Sequence, residues 1–239
     1  MGAAWRDDAS LSAAERTAAA FAEQFSIDVS LIDDAMRGEL GAQLGAETLP
    51  FVQVVYIVDI TPRAWLLLDR LFGGASGPAE PIEVVPYSEA FETMLTGIAK
   101  LNALDSVTME LVRLRGARQH QCRICKSRRS RSAILAGADE ATFESVDFYE
   151  TSDLPERIKT ALRFTDAFIW QPGYVTDALL DEVRAAFTPV EAVELVLDLA
   201  RNAANKVAVA FAADDAVVTE GIELYEIDEN GDFFAGMSL

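Results

Sequence analysis

Apolar residues recur at helical spacing along most of the chain. Residues 11–25 form an Ala-rich stretch with Ser10 or Ser12 as N-cap. Leu31, Ile32, Ala35 and Met36 set a second helical period over 30–44. A third, long apolar helix is expected over 50–71. Proline lacks an N–H and crowds the preceding turn, so Thr61-Pro62 should break or kink it. The stretch GGASGPAEPIEVVP at 73–86 predicts a loop. Helices are then expected over 88–101, over 106–118, and from Cys122 to Gly137, with Asp139 capping a short one after it. Residues 155–170 read as an amphipathic helix opening on Pro155. Gln171-Pro172-Gly173 is a turn, and 176–187 a further helix. Thr188-Pro189-Val190-Glu191 combines a capping box with proline at the first helical position, and opens a helix to about 213. Only the tail reads otherwise. Residues 223–227 and 232–235 flank the hairpin turn signal Glu229-Asn230-Gly231. The expected fold is all-α with a small C-terminal β-hairpin.

Two helix pairs echo one another. LPFVQVVYIVD, ending at Asp59, parallels TPVEAVELVLD, ending at Asp198, and LIDDAMRGEL from Leu31 parallels LLDEVRAAF from Leu179. This pattern suggests duplication of a helical hairpin. The expected organisation is an N-terminal helical portion over 1–87, a helical core over 88–221 and a hairpin tail over 222–239.

Composition adds that the chain is globular: 51% of its 239 residues are apolar and 25% charged. No apolar run reaches the length of a membrane span, and the start MGAAWRDDAS has no secretory pattern, so a cytoplasmic protein without membrane contact is expected. Arg6 stands where a myristoylation signal needs Ser or Thr. A net charge of −19 argues against nucleic acid as a partner. The charge is uneven. Arg113, Arg115, Arg118, Arg123, Lys126, Arg128, Arg129 and Arg131 follow one another with no acid between them, and both cysteines lie in that segment.

The cysteines form Cys122-Arg123-Ile124-Cys125. So short a loop gains little from cross-linking, so a purely structural disulfide explains it poorly. A redox dithiol, a metal site and a pair of unreactive buried thiols remain. A structural zinc site needs four ligands, and the one histidine, His120, brings the local set to three. Cations and a helix N-terminus would lower a thiol pKa here. On a helix starting near Cys122, Cys125 and Arg129 share its face. Glu110 sits among Met109, Leu111, Val112 and Leu114, where periodicity favours the helix surface over an inward carboxylate. His120 reads as an exposed loop residue.

Glu110-x11-Cys122-x2-Cys125-x3-Arg129, within MELVRLRGARQHQCRICKSRRSRSAILAG, resembles the Glu-x11-Cys-x2-Cys-x3-His signature of the AhpD-like alkylhydroperoxidases of the carboxymuconolactone decarboxylase superfamily. TPVEAVELVLDLARNAANK resembles that family's following helix, with Asn202 and Asn205 as its Asn pair. The likeness covers roughly residues 88–212. It implies an all-α homo-oligomer without cofactor or metal that reduces small hydroperoxides, with a dithiol or protein reductant. Carried over, Cys125 is the residue attacked by peroxide, Cys122 resolves it and Glu110 relays protons. Arg129 replaces the family's relay His. A guanidinium stays protonated, so it could hold a thiolate or an oxygen but not shuttle a proton. The alternatives are a non-catalytic helical oligomer with redox-sensing or vestigial cysteines, or a metal-binding module.

Overall fold

Capping chemistry sets most helix starts in the computed structural model, which describes residues 4–74 and 85–238. The loop expected at 73–86 lies mostly outside these residues. Ser12 and Glu15 close a capping box at α1 (Ala13–Ile27), and Asp33 caps α2 (Asp34–Leu44). The long apolar helix is α3 (Thr48–Phe72), which runs unbroken through Pro62. The expected break does not occur because Pro62 lies on the exposed side, where water can satisfy the carbonyl it leaves free. Next come α4 (Tyr87–Ala99) and α5 (Ser106–Gln119), the latter capped by Asp105. After the cysteine segment, Asp139 caps α8 (Glu140–Glu144), and α9 (Glu156–Trp170) follows. Thr176 caps α10 (Asp177–Ala186), and Thr188 with Glu191 boxes α11 (Pro189–Asn202).

One helix expected to reach 213 stops early and restarts as α12 (Asn205–Ala210). The Tyr56 hydroxyl donates to the Ala200 carbonyl at 2.6 Å, the acceptor that the Ala204 N–H would use in a continued helix. Ala204 donates to Arg201 instead, and the last turn tightens.

One apolar core joins both portions of the chain. Phe21, Phe25, Tyr56 and Leu67 meet Leu111, Leu114, Phe164, Phe168 and Leu195 in it. The two pairs that echo each other in sequence are both helical hairpins, α2–α3 and α10–α11, and α3 packs against α11. The helical stretch Asp34–Phe72 is, by length and composition alone, long and apolar enough to cross a membrane. Val52, Tyr56, Ile60 and Leu67 of α3 lie buried in the shared core, while Val54, Val58, Trp65 and Phe72 are exposed.

The fold is thus mostly helical with a small β element, as expected. The tail forms β2 (Glu223–Ile227) and β3 (Phe233–Met237), antiparallel. It is more than a free hairpin. Arg128–Ser130 forms a short strand, β1, parallel to β2, in a sheet ordered β1-β2-β3. At its turn, Gly231 takes φ 81° and packs so closely on α4 that a Cβ there would stand 2.7 Å from the Thr96 carbonyl oxygen. The tail is therefore pinned against α4 at one end and the cysteine segment at the other.

Candidate functional site

The cysteine turn begins where α5 ends. Gln121 takes φ 56°, which reverses the chain, and the Cys122 N–H donates back to the Ala117 carbonyl at 3.0 Å. Cys122 is thereby fully buried at the N-cap of α6 (Arg123–Lys126), and a disulfide joins it to half-buried Cys125. Asp214 takes two of the three N–H groups this turn presents. Its carboxylate accepts from Arg123 N and its carbonyl from Ile124 N, each at 2.8 Å. The third, Cys125 N, donates to Cys122 Sγ at 3.3 Å. Burial raises the Asp214 carboxyl, but bonds from the Arg123 side chain and N–H hold it below the ordinary value.

The helix expected from Cys122 to Gly137 does not form. It is one turn, α6, then β1, then α7 (Arg131–Leu135) capped by Ser130. Tertiary partners outcompete the helical bonds. Arg113 binds the carbonyls of Cys125 and Arg128, at 2.9 and 3.0 Å, and Ser127 accepts from the Glu223 N–H. The consequence for Arg129 is direct. In a strand, neighbours alternate sides. Arg128 faces β2 and pairs with Glu223 at 2.6 Å, whereas Arg129 turns to α8, pairs with Glu140 at 2.6 Å and lies over Phe143. Arg129 therefore shares no face with the thiols, contrary to the helical expectation.

Glu110 departs from the periodicity too: it is 1% exposed rather than at the helix surface. It accepts two bonds from Arg113, both 2.7 Å, one from the Tyr225 hydroxyl at 2.6 Å and one from Ser130 N at 3.1 Å. A carboxylate buried with four donors is well satisfied. Burial works against the Arg113 charge, yet Glu110 and Tyr225 more than offset it and raise its pKa. Burial, reinforced by Glu110, pushes the Tyr225 hydroxyl far above its usual range, so it remains a donor.

His120 is likewise not an exposed loop residue. It is buried at the C-terminus of α5, with Nδ1 2.8 Å from Asn205 Oδ1. Burial, with Lys206 nearby, lowers its pKa to about 4, so the ring is neutral at pH 7. Lys206 itself bonds Asp59 at 2.7 Å in the same polar cluster.

Cys125 opens on a cleft between α4, α5, α11 and the sheet. The cleft has two lobes that share Arg113, Arg201, Asn202, Tyr225 and Ile227. The lobe containing Cys125 is about 430 Å3, and also holds Asn205 and Phe233. The other, about 330 Å3, holds Glu110 and Asp198. Tyr225 and Phe233 stack at 5.3 Å, with Arg113 over one ring and Arg128 over the other. Burial and neighbouring Glu194 raise Asp198 to about 7, so it titrates near neutrality. Among the described residues, no three of His, Cys, Asp and Glu converge to hold a metal ion.

The chain is 43% identical over 228 residues to the uncharacterized proteins MT2376 and Rv2313c of two Mycobacterium tuberculosis strains. The alignment spans 92% of this chain and 80% of each of theirs. The chain belongs to their family. No family model and no solved structure matches it.

Within this family member, Cys122 is joined to Cys125, Cys125 and Glu110 line different lobes of one cleft with Arg113 bonded to both residues, and Arg129 lines neither lobe. Asn202 and Asn205 both line the cleft. Sequence reasoning missed Arg113, Arg201, Asp214 and Tyr225. Arg113 carried a signal, since it stands three residues after Glu110, the spacing of a helical ion pair. Asp214 and Tyr225 reach the site only through the fold.

Proposed function

We propose that this protein is a thiol peroxidase, acting on small hydroperoxides through Cys125 and Cys122. The Cys125 thiolate attacks the distal oxygen of ROOH. The O–O bond breaks, Cys125 becomes a sulfenic acid and RO⁻ leaves, taking a proton to give ROH. The Cys122 thiol then attacks the Cys125 sulfur, forming the disulfide and releasing water. A dithiol donor returns two electrons and two protons, restoring both thiols. The supporting observation is the asymmetry of the pair. Cys125 opens on a cleft rich in arginines, while Cys122 lies buried beneath it at bonding distance. Arg201 lines the same lobe with no carboxylate paired to it among the described residues, and its charge favours the Cys125 thiolate. The same reading takes the exposed apolar side of α3 as a contact between subunits, with Val58 at 65% and Trp65 at 45% exposure.

A second reading is a non-catalytic oligomer with redox-sensing cysteines. One observation favours it: Glu110, the proposed relay, is tied to Arg113, Tyr225 and Ser130. Stoichiometric cumene hydroperoxide added to the reduced protein separates the two. The first reading expects sulfenic acid on Cys125 in Cys122→Ser, and turnover of the parent with dithiothreitol. No oxidation of either thiol by peroxide in the native protein refutes it.

A further inference from the structure

The lobe around Cys125 is unlike the rest of the molecule. In a chain of net charge −19, it is lined among the described residues by three arginines, Arg113, Arg128 and Arg201, and by no carboxylate. Two of these cations are already spent on the protein, Arg113 on Glu110 and Arg128 on Glu223. Arg201 is not. Its Nε donates to the Leu95 carbonyl at 3.2 Å, and its two terminal nitrogens have no partner among the described residues. Asp198, one turn earlier on α11, lines the other lobe, where Arg201 acts on it through space without a hydrogen bond between them. The remaining wall is largely apolar, from Leu95, Tyr225, Ile227 and Phe233. At about 430 Å3, the lobe is of small-molecule size.

We propose that this lobe binds an organic carboxylate, its apolar body against Phe233 and Ile227 and its carboxylate on the terminal nitrogens of Arg201. A guanidinium fork matches a carboxylate with two parallel charge-assisted hydrogen bonds. A hydrocarbon chain or ring would cover the apolar wall, a gain from removing both surfaces from water. The proposal deepens the peroxidase reading, and rests on it in one respect: the hydroperoxide delivered to Cys125 would carry a carboxylate. Binding itself is independent of turnover.

Octanoate is a suitable probe because it holds no O–O bond. Calorimetric titration of the full chain in its disulfide form should give saturable binding. Octan-1-ol, which lacks the charge, should bind about tenfold more weakly or worse. Arg201→Gln should weaken octanoate by about tenfold or more and leave octan-1-ol within about twofold, while Arg201→Lys should fall between. The Arg201 Nε–H resonance of the parent protein should shift on titration, a readout that needs no variant to fold. The proposal is overturned if octanoate fails to saturate, if octan-1-ol binds as tightly, or if the Arg201 resonance stays still. Octanoate binding without peroxide turnover would refute the peroxidase reading alone. Turnover of cumene hydroperoxide without octanoate binding would refute the carboxylate site alone.

Discussion

Replacing Glu110 tests whether that carboxylate is an anchor or a relay. Its side chain is 0% exposed and that of Arg113 only 15%, so Glu110→Ala leaves a nearly buried guanidinium without its counter-charge. The Tyr225 hydroxyl and Ser130 N–H lose their acceptor as well. Removing one partner of a buried, hydrogen-bonded ion pair costs about 3–5 kcal/mol. For a chain of this length, that lowers the melting temperature on the order of 10 °C. Glu110→Gln preserves the volume but turns an amide N–H₂ toward the Arg113 donors, and should cost about 2–3 kcal/mol. Tyr225 sits on β2 and Ser130 on β1, so this carboxylate pins the sheet to α5. Its loss should loosen the sheet over Cys125 and speed alkylation of the reduced thiol. Urea unfolding followed by circular dichroism, with iodoacetamide kinetics alongside, reads both effects. Glu110→Gln within about 0.5 kcal/mol of the parent, with slower alkylation, would refute the anchor and restore the relay.

The turn of the tail offers another test: Gly231→Ala forces a side chain onto φ 81° and against the Thr96 carbonyl, so it should cost about 2 kcal/mol or more and expose Cys125, measurable by thermal melting and thiol labelling. Arg129→Met should leave the Cys125 alkylation rate unchanged, because Arg129 faces Glu140 and Phe143; a clear slowing would return it to the thiol site. His120 supplies a pH dependence. With its native pKa lowered to about 4 from 6.5, the unfolded chain binds a proton first as pH falls, so stability is lost between about pH 6.5 and 4. His120→Gln should flatten that part of the profile, by up to about 1.4 kcal/mol per pH unit, and an equal loss of unfolding free energy from pH 7 to pH 5 in parent and variant, read from urea melts, would sink the assignment.

Hydrophobic period and capping residues determined the helical architecture from sequence, because both act within a few residues of chain. Ser12, Asp139 and Thr188 cap the helices they were expected to cap. The hairpin turn and the cysteine pair were legible for the same reason. What failed were the segments whose backbone groups are claimed from elsewhere in the fold. Tyr56 takes a carbonyl from α11 and ends it early. Arg113 and β2 take the backbone of 125–130, so a helix became a turn and a strand, and Arg129 swung away from the thiols. Glu110 and His120 are buried because Arg113, Tyr225 and Asn205 reach them there. A polar side chain enters a core only where partners await it, and those partners lie up to 115 residues away in sequence. Local pattern fixes where helices begin; which polar groups they bury is decided by the tertiary structure that supplies the partners.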